Sequence, residues 1–145
     1  MIRDALANGY KYVVSLEPDT LIVDMEADLR DGCPKGVGAC FHRAHEMFKL
    51  LPQWNVGALY IQNSPEAKKF VDDWLAEWPG DRAWRDNGAF NKVGMKNRIV
   101  HTISDKWNAT LNVSMVPDAV VIGFHGNGDS YQRYELMRQT MEKIV

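Results

Sequence analysis

Long apolar runs are missing from this 145-residue sequence. No stretch reaches the roughly 18 apolar residues that a membrane-spanning helix needs, so none is expected. The opening residues, Met1 to Asn8, carry Arg3 and Asp4 and lack the apolar centre of a secretory signal. A basic excess is missing too. The formal net charge is -2, whereas binding to nucleic acid or an anionic membrane leaves a footprint of lysine and arginine. Cysteine is scarce: Cys33 and Cys40 are too few for a disulfide framework. They fit reduced thiols in a cytoplasmic protein. Internal repeats, low-complexity segments and a Ser/Gly/Pro-rich linker are also lacking, which predicts one domain over residues 1–145.

What is present suffices for a core. Hydrophobic residues make up 46% of the chain and aromatic residues 10%, a composition typical of a packed globular domain. Ile2, Ala5 and Leu6 fall at helical spacing, and Gly9 ends that helix. Tyr10 to Leu16 is β-branched and aromatic, which predicts a buried strand stopped by Pro18. Leu21 to Val23 resumes an extended path, and Asp24 to Asp31 reads as a short helix or turn. Gly36 to Phe41 and Asn55 to Gln62 read as strands. Ser64 to Trp78 is the clearest helix. Ser64 suits the N-cap and Pro65 the first turn. Ala67, Phe70, Val71, Trp74, Leu75 and Trp78 form one apolar face, and Pro79-Gly80 closes the helix. A short helix over Asp86 to Val93 is followed by strands over Arg98 to Thr102 and Ala119 to Phe124. A closing helix covers Ser130 to Val145, with Tyr134, Met137, Met141 and Ile144 on one side. Strands alternating with helices predict a three-layer α/β/α sandwich, whose ligands gather at the carboxyl ends of strands.

Several polar motifs fall at those ends. Glu17-Pro18-Asp19 follows the first strand. Two carboxylates two apart can converge on one divalent cation, and hard oxygen ligands suit Mg²⁺ or Mn²⁺. The same residues also fit a polar turn with Asp19 capping the backbone. His125-Gly126-Asn127-Gly128 follows the last strand. Its imidazole suits a third metal ligand, and Gly126 allows a phosphate to approach the backbone. A satisfied histidine beside a flexible turn is the plainer alternative. Asn55 offers a donor and acceptors at the start of a strand, and Gly57 permits close ligand approach. Asp86 and Asn87 either begin a helix or bind sugar hydroxyls. Trp107-Asn108 is a loop aromatic followed by an amide, a pairing that suits sugars. Cys40-x-His42-x-x-His45 offers part of a zinc site, but no second cluster completes the four ligands that a closed site needs.

The order of these motifs resembles the GT-A nucleotide-diphospho-sugar glycosyltransferases, especially the retaining families related to glycogenin and the bacterial galactosyltransferases. It also resembles the plant xylosyl- and arabinosyltransferase type. Glu17-Pro18-Asp19 is similar to the family's Asp-x-Asp, and His125 to its late histidine. The resemblance therefore implies Mn²⁺ (or Mg²⁺) held by Glu17, Asp19 and His125. It implies Asn55 and Gly57 at the donor sugar, and Asp86 and Asn87 at the reaction centre as the catalytic candidates. It places Trp107 and Asn108 on the acceptor side. Glu17 stands where the family has Asp, and Asn87 where it has Gln. A complete enzyme of this kind carries an N-terminal βαβ region for the nucleotide. Here one helix precedes the acidic motif, so the expectation is a truncated GT-A fold, its C-terminal portion. The first strand would then have an exposed edge, which favours a homo-oligomer.

The activity implied is metal-dependent transfer from a nucleotide-sugar donor, a UDP-sugar, to an acceptor the sequence does not identify. A non-catalytic remnant that binds sugar, nucleotide or protein is the second reading. A metal-dependent hydrolase is the third.

Overall fold

A computed structural model describes residues 1–43, 52–78 and 85–144. In chain order they form α1 (Ile2–Ala7), β1 (Tyr12–Leu16), β2 (Thr20–Ile22), β3 (Val37–His42), β4 (Gln53–Gln62), α2 (Pro65–Glu77), α3 (Arg85–Lys96), β5 (Val100–Ile103), β6 (Ala109–Thr110), β7 (Val121–Gly123) and α4 (Ser130–Ile144). Single 3-10 turns cover Leu29–Gly32 and Asp105–Trp107. The Pro79-Gly80 stop, His45 and Val145 lie outside the described residues. No helix among the described residues is long and apolar enough to cross a membrane.

The fold is mixed α/β, and its middle is split into two sheets. The larger runs β1-β4-β3-β5, with β4 antiparallel to both neighbours and β3 parallel to β5. The smaller runs β2-β7-β6. Alternation along β4 sends Leu59 and Ile61 to one face, where they pack with Leu6 of α1, Phe70 and Val71 of α2, and Phe90 and Val93 of α3. Ala58 and Tyr60 point the other way, toward Trp107, Val120 and Val121. Ile122 and Phe124 face outward again, against Leu136 and Met137 of α4. Helices thus lie on both outer sides of the paired sheets, the layering expected for this sequence. Among the described residues β1 bonds only to β4, which makes it an edge strand of the larger sheet.

The clearest sequence signal yields the clearest element. Ser64 caps α2, its hydroxyl accepting from the Ala67 N–H at 3.1 Å, a bond worth about 1 kcal/mol. Other elements depart from expectation. β1 starts at Tyr12, leaving Tyr10 exposed. α3 runs past Val93 to Lys96. β6, two residues long, carries too little pattern to be anticipated. On α4, Tyr134, Met141 and Ile144 are exposed rather than packed, because the small sheet offers only enough surface for Leu136 and Met137.

The core on the helical side turns on Phe70, which is 2% exposed and meets Phe90 edge-on at 5.3 Å between centroids. Phe70→Ala is expected to cost about 3–5 kcal/mol, and Met141→Ala on exposed α4 about 0.5 kcal/mol or less. Denaturant unfolding of both variants checks the contrast; equal losses would contradict this placement of the core.

Candidate functional site

A break in register builds the site. Along β3 and β4, Ala39 faces Leu59, but the next residue, Cys40, faces Asn55. Val56, Gly57 and Ala58 are thus extra residues on β4 at this point. Such a bulge bends a strand and re-aims its side chains. Here it turns Asn55 inward at the end of the sheet, where β1 also ends.

The acidic turn stitches the two sheets together at the same place. The Glu17 N–H donates to the Gly57 carbonyl at 2.9 Å, and the Phe124 N–H donates to the Asp19 carbonyl at 2.9 Å. The turn itself is closed by Thr20, whose N–H and hydroxyl both donate to the Glu17 carbonyl at 3.1 and 2.7 Å. Neither the Glu17 nor the Asp19 carboxylate is needed to form the turn. Each can offer an oxygen that lies, with a ring nitrogen of His125, within a mutual distance of 4.8 Å. Burial raises the Glu17 pKa, and the neighbouring carboxylates of Asp86 and Asp19 raise it further. Asp19 bonds Arg133 of α4 at 2.7 Å. Three carboxylates beside one guanidinium leave a local formal charge of -2, a setting that favours a cation.

Asn55 organises the wall behind these carboxylates. Its Oδ1 accepts from the Gly57 N–H at 2.7 Å and from Asn108 Nδ2 at 2.9 Å. A backbone N–H cannot reverse, so the other end of the amide must be the donor. Nδ2 sits 2.9 Å from His125 Nε2 and 3.3 Å from His42 Nδ1. Both ring nitrogens therefore accept. His42 then carries its proton on Nε2 and donates to Thr110 Oγ1 at 3.0 Å, and the Thr110 hydroxyl donates to His125 Nε2 at 3.1 Å. The His125 proton is left on Nδ1, which is buried with no protein partner. That nitrogen is the one available to a ligand. It can donate its proton to an oxygen. To give its lone pair to a cation instead, the ring must shift its proton to Nε2, where Thr110 Oγ1 can accept it and the Asn55 Nδ2 contact is given up. The donor set of two carboxylates and one imidazole with an orphaned nitrogen fits a divalent metal ion.

These groups border a cavity of about 320 Å³. Glu17, Asn55, Gly57, Asp86, Asn87, His125 and Gly126, all singled out from the sequence, line it. Asp19 faces an adjoining groove that shares Glu17. Asn87 Oδ1 accepts from the Val56 N–H at 3.0 Å, tying α3 to the bulge. Asp86 Oδ1 accepts from the Asn87 N–H at 2.9 Å.

Three candidates are held by protein partners. Trp107 is 5% exposed and packs against Tyr60, whose hydroxyl donates to the Trp107 carbonyl at 2.7 Å, so this ring is core rather than a sugar platform. Asn108 is fully buried and holds Asn55 instead of facing a ligand. Asn55 has both ends of its amide bonded within the protein, which makes it a positioning residue. Cys40 donates to the Ser104 carbonyl, and burial pushes its thiol up to about 12.

His42 and Thr110 were not anticipated as site residues. The alternation that buries Cys40 also buries His42 two residues on, and Thr110 follows Asn108 by the same step.

No family model matches the chain, and no curated protein matches it by sequence. Among solved structures it is similar to mouse xyloside xylosyltransferase 1 in its apo form. The likeness has a TM-score of 0.56 at 13% identity and covers 88% of this chain and 63% of that one. The fold is therefore glycosyltransferase-like. This chain spans less than two thirds of that protein's chain.

His42 gives the wall a pH signature. Burial, and then the His125 ring, push its pKa from 6.5 down to about 4. The unfolded chain takes up this proton first, so the contribution of neutral His42 is complete above pH 6.5 and is lost as pH falls toward 4. Thermal melting should therefore fall more steeply over this window in the wild type than in His42→Gln. Parallel curves would contradict the buried neutral imidazole.

Proposed function

We propose that this chain carries the cation- and sugar-binding part of a metal-dependent glycosyltransferase, taking a sugar from a nucleotide-diphosphate donor of the UDP class. One observation carries this reading: Glu17, Asp19 and His125 converge at the border of an amide- and carboxylate-lined cavity, in a glycosyltransferase-like fold. Glu17 and Asp19 would hold Mn²⁺ or Mg²⁺ through oxygen, and His125 through Nδ1. When bound, the ion supplies Lewis-acid neutralisation of the charge that builds on a leaving diphosphate.

The protein's own groups do the rest. Asp86 accepts from sugar hydroxyls and Asn87 presents its Nδ2 end, since its oxygen bonds Val56. Gly57 and Gly126 keep side-chain bulk off the cavity wall. Asn55, Thr110 and His42 fix the His125 ring, so that its orientation is set before a ligand arrives, and such positioning is a large part of catalysis. A β-carbon at Gly123 would lie 2.5 Å from His125 Cε1, so this glycine leaves the room the ring occupies.

A binding module without turnover is the second reading. It is favoured by Arg133, which already neutralises one carboxylate of the site.

Calorimetric titration of UDP and UDP-glucose, with and without Mn²⁺, tests the site. Binding is expected only with Mn²⁺ and should weaken at least about tenfold in Asp19→Ala, given the size of a charge-assisted contact. Binding indifferent to both the ion and Asp19 would overturn the cation site. Release of UDP from UDP-glucose in the presence of candidate acceptors separates the two readings: turnover supports the enzyme, and Mn²⁺-dependent binding with no turnover supports the module.

A further inference from the structure

Arg133 already holds one of the two carboxylates that the proposed cation site would use. Its Nη1 donates to Asp19 Oδ2 at 2.7 Å, with the two side chains 30% and 19% exposed. Its remaining nitrogens have little else: Nη2 reaches Ser130 Oγ at 3.5 Å, and Nε is buried without a partner. Among the described residues, this pair is also the one polar side-chain link from α4 and its capping residue Asp129 to the rest of the protein. α4 has no fully buried residue and otherwise leans on Leu136 and Met137.

We propose that Arg133 is a resident competitor at the cation site: its guanidinium clasps Asp19 until a divalent cation takes that oxygen, and filling the site frees the first turns of α4. This rests on the cation site proposed above and adds a coupling that site does not require. One Asp19 oxygen cannot fully serve a guanidinium and a divalent ion together, because the two positive charges repel at contact distance. Linkage then makes the effect reciprocal: the factor by which the cation weakens the clasp is the factor by which the clasp weakens cation binding.

Titration of Mn²⁺ into wild type, Arg133→Gln, Arg133→Lys and Asp19→Ala reads the competition, and amide exchange of α4 with and without Mn²⁺ reads the release. Arg133→Gln should bind Mn²⁺ about fivefold or more tightly, with Arg133→Lys between it and wild type. Mn²⁺ should speed exchange in the first turns of α4 in wild type and leave Arg133→Gln unchanged. If Mn²⁺ binds wild type and is lost in Asp19→Ala, but Arg133→Gln alters neither affinity nor exchange, the clasp is wrong and the cation site stands. Tighter binding with no change in α4 exchange also overturns the release. If Mn²⁺ binds no variant, both the site and the clasp fall.

Discussion

The side-chain amide of Asn55 joins the strand at the centre of the fold to the groups that border the cavity. One backbone N–H, that of Gly57, fixes which end of the amide faces which neighbour. From that single constraint follow the proton positions on His42, Thr110 and His125. The bulge in β4 is what brings Gly57 and Asn55 into this geometry. A strand in regular register would aim Asn55 at the wrong face, and the chain of hydrogen bonds would have no anchor.

Charge supplies the other half of the arrangement. The acidic turn stands where the two sheets meet, because its backbone bonds both β4 and the end of β7. That placement crowds Glu17 and Asp19 against each other and near Asp86. The crowding is unfavourable by itself, and a single guanidinium offsets only part of it. The protein tolerates like charges here as functional sites commonly do, with neighbouring structure holding them in place. Neutral, buried imidazoles behind the carboxylates add no positive charge at neutral pH. The demand for a counter-charge is therefore left to Arg133 or to an ion.

The legible parts of this sequence were those with local causes. α2 could be read because its cap, its first-turn proline and its apolar face all lie within a few turns. Glu17, Asp19 and His125 could be read as a set because their order along the chain resembles a known family. Their convergence comes from sheet pairing between distant segments. The ring of Trp107 packs on Tyr60, 47 residues away, a pairing that its polar sequence neighbours do not announce. His42 was considered only as part of a zinc motif, and its real partners, Asn55 and Thr110, lie on other strands. The exposure of α4 was hidden because an apolar period states a capacity to pack and says nothing of the surface available to receive it.

The proposed cation site joins Glu17, Asp19 and the orphaned nitrogen of His125. Paramagnetic broadening of the imidazole resonances by substoichiometric Mn²⁺ tests it most directly. His125 should broaden first and His42, stacked 6.0 Å from it between centroids, next. His101, exposed on the edge strand β5, should stay sharp. Broadening of His101 with His125 untouched would contradict it.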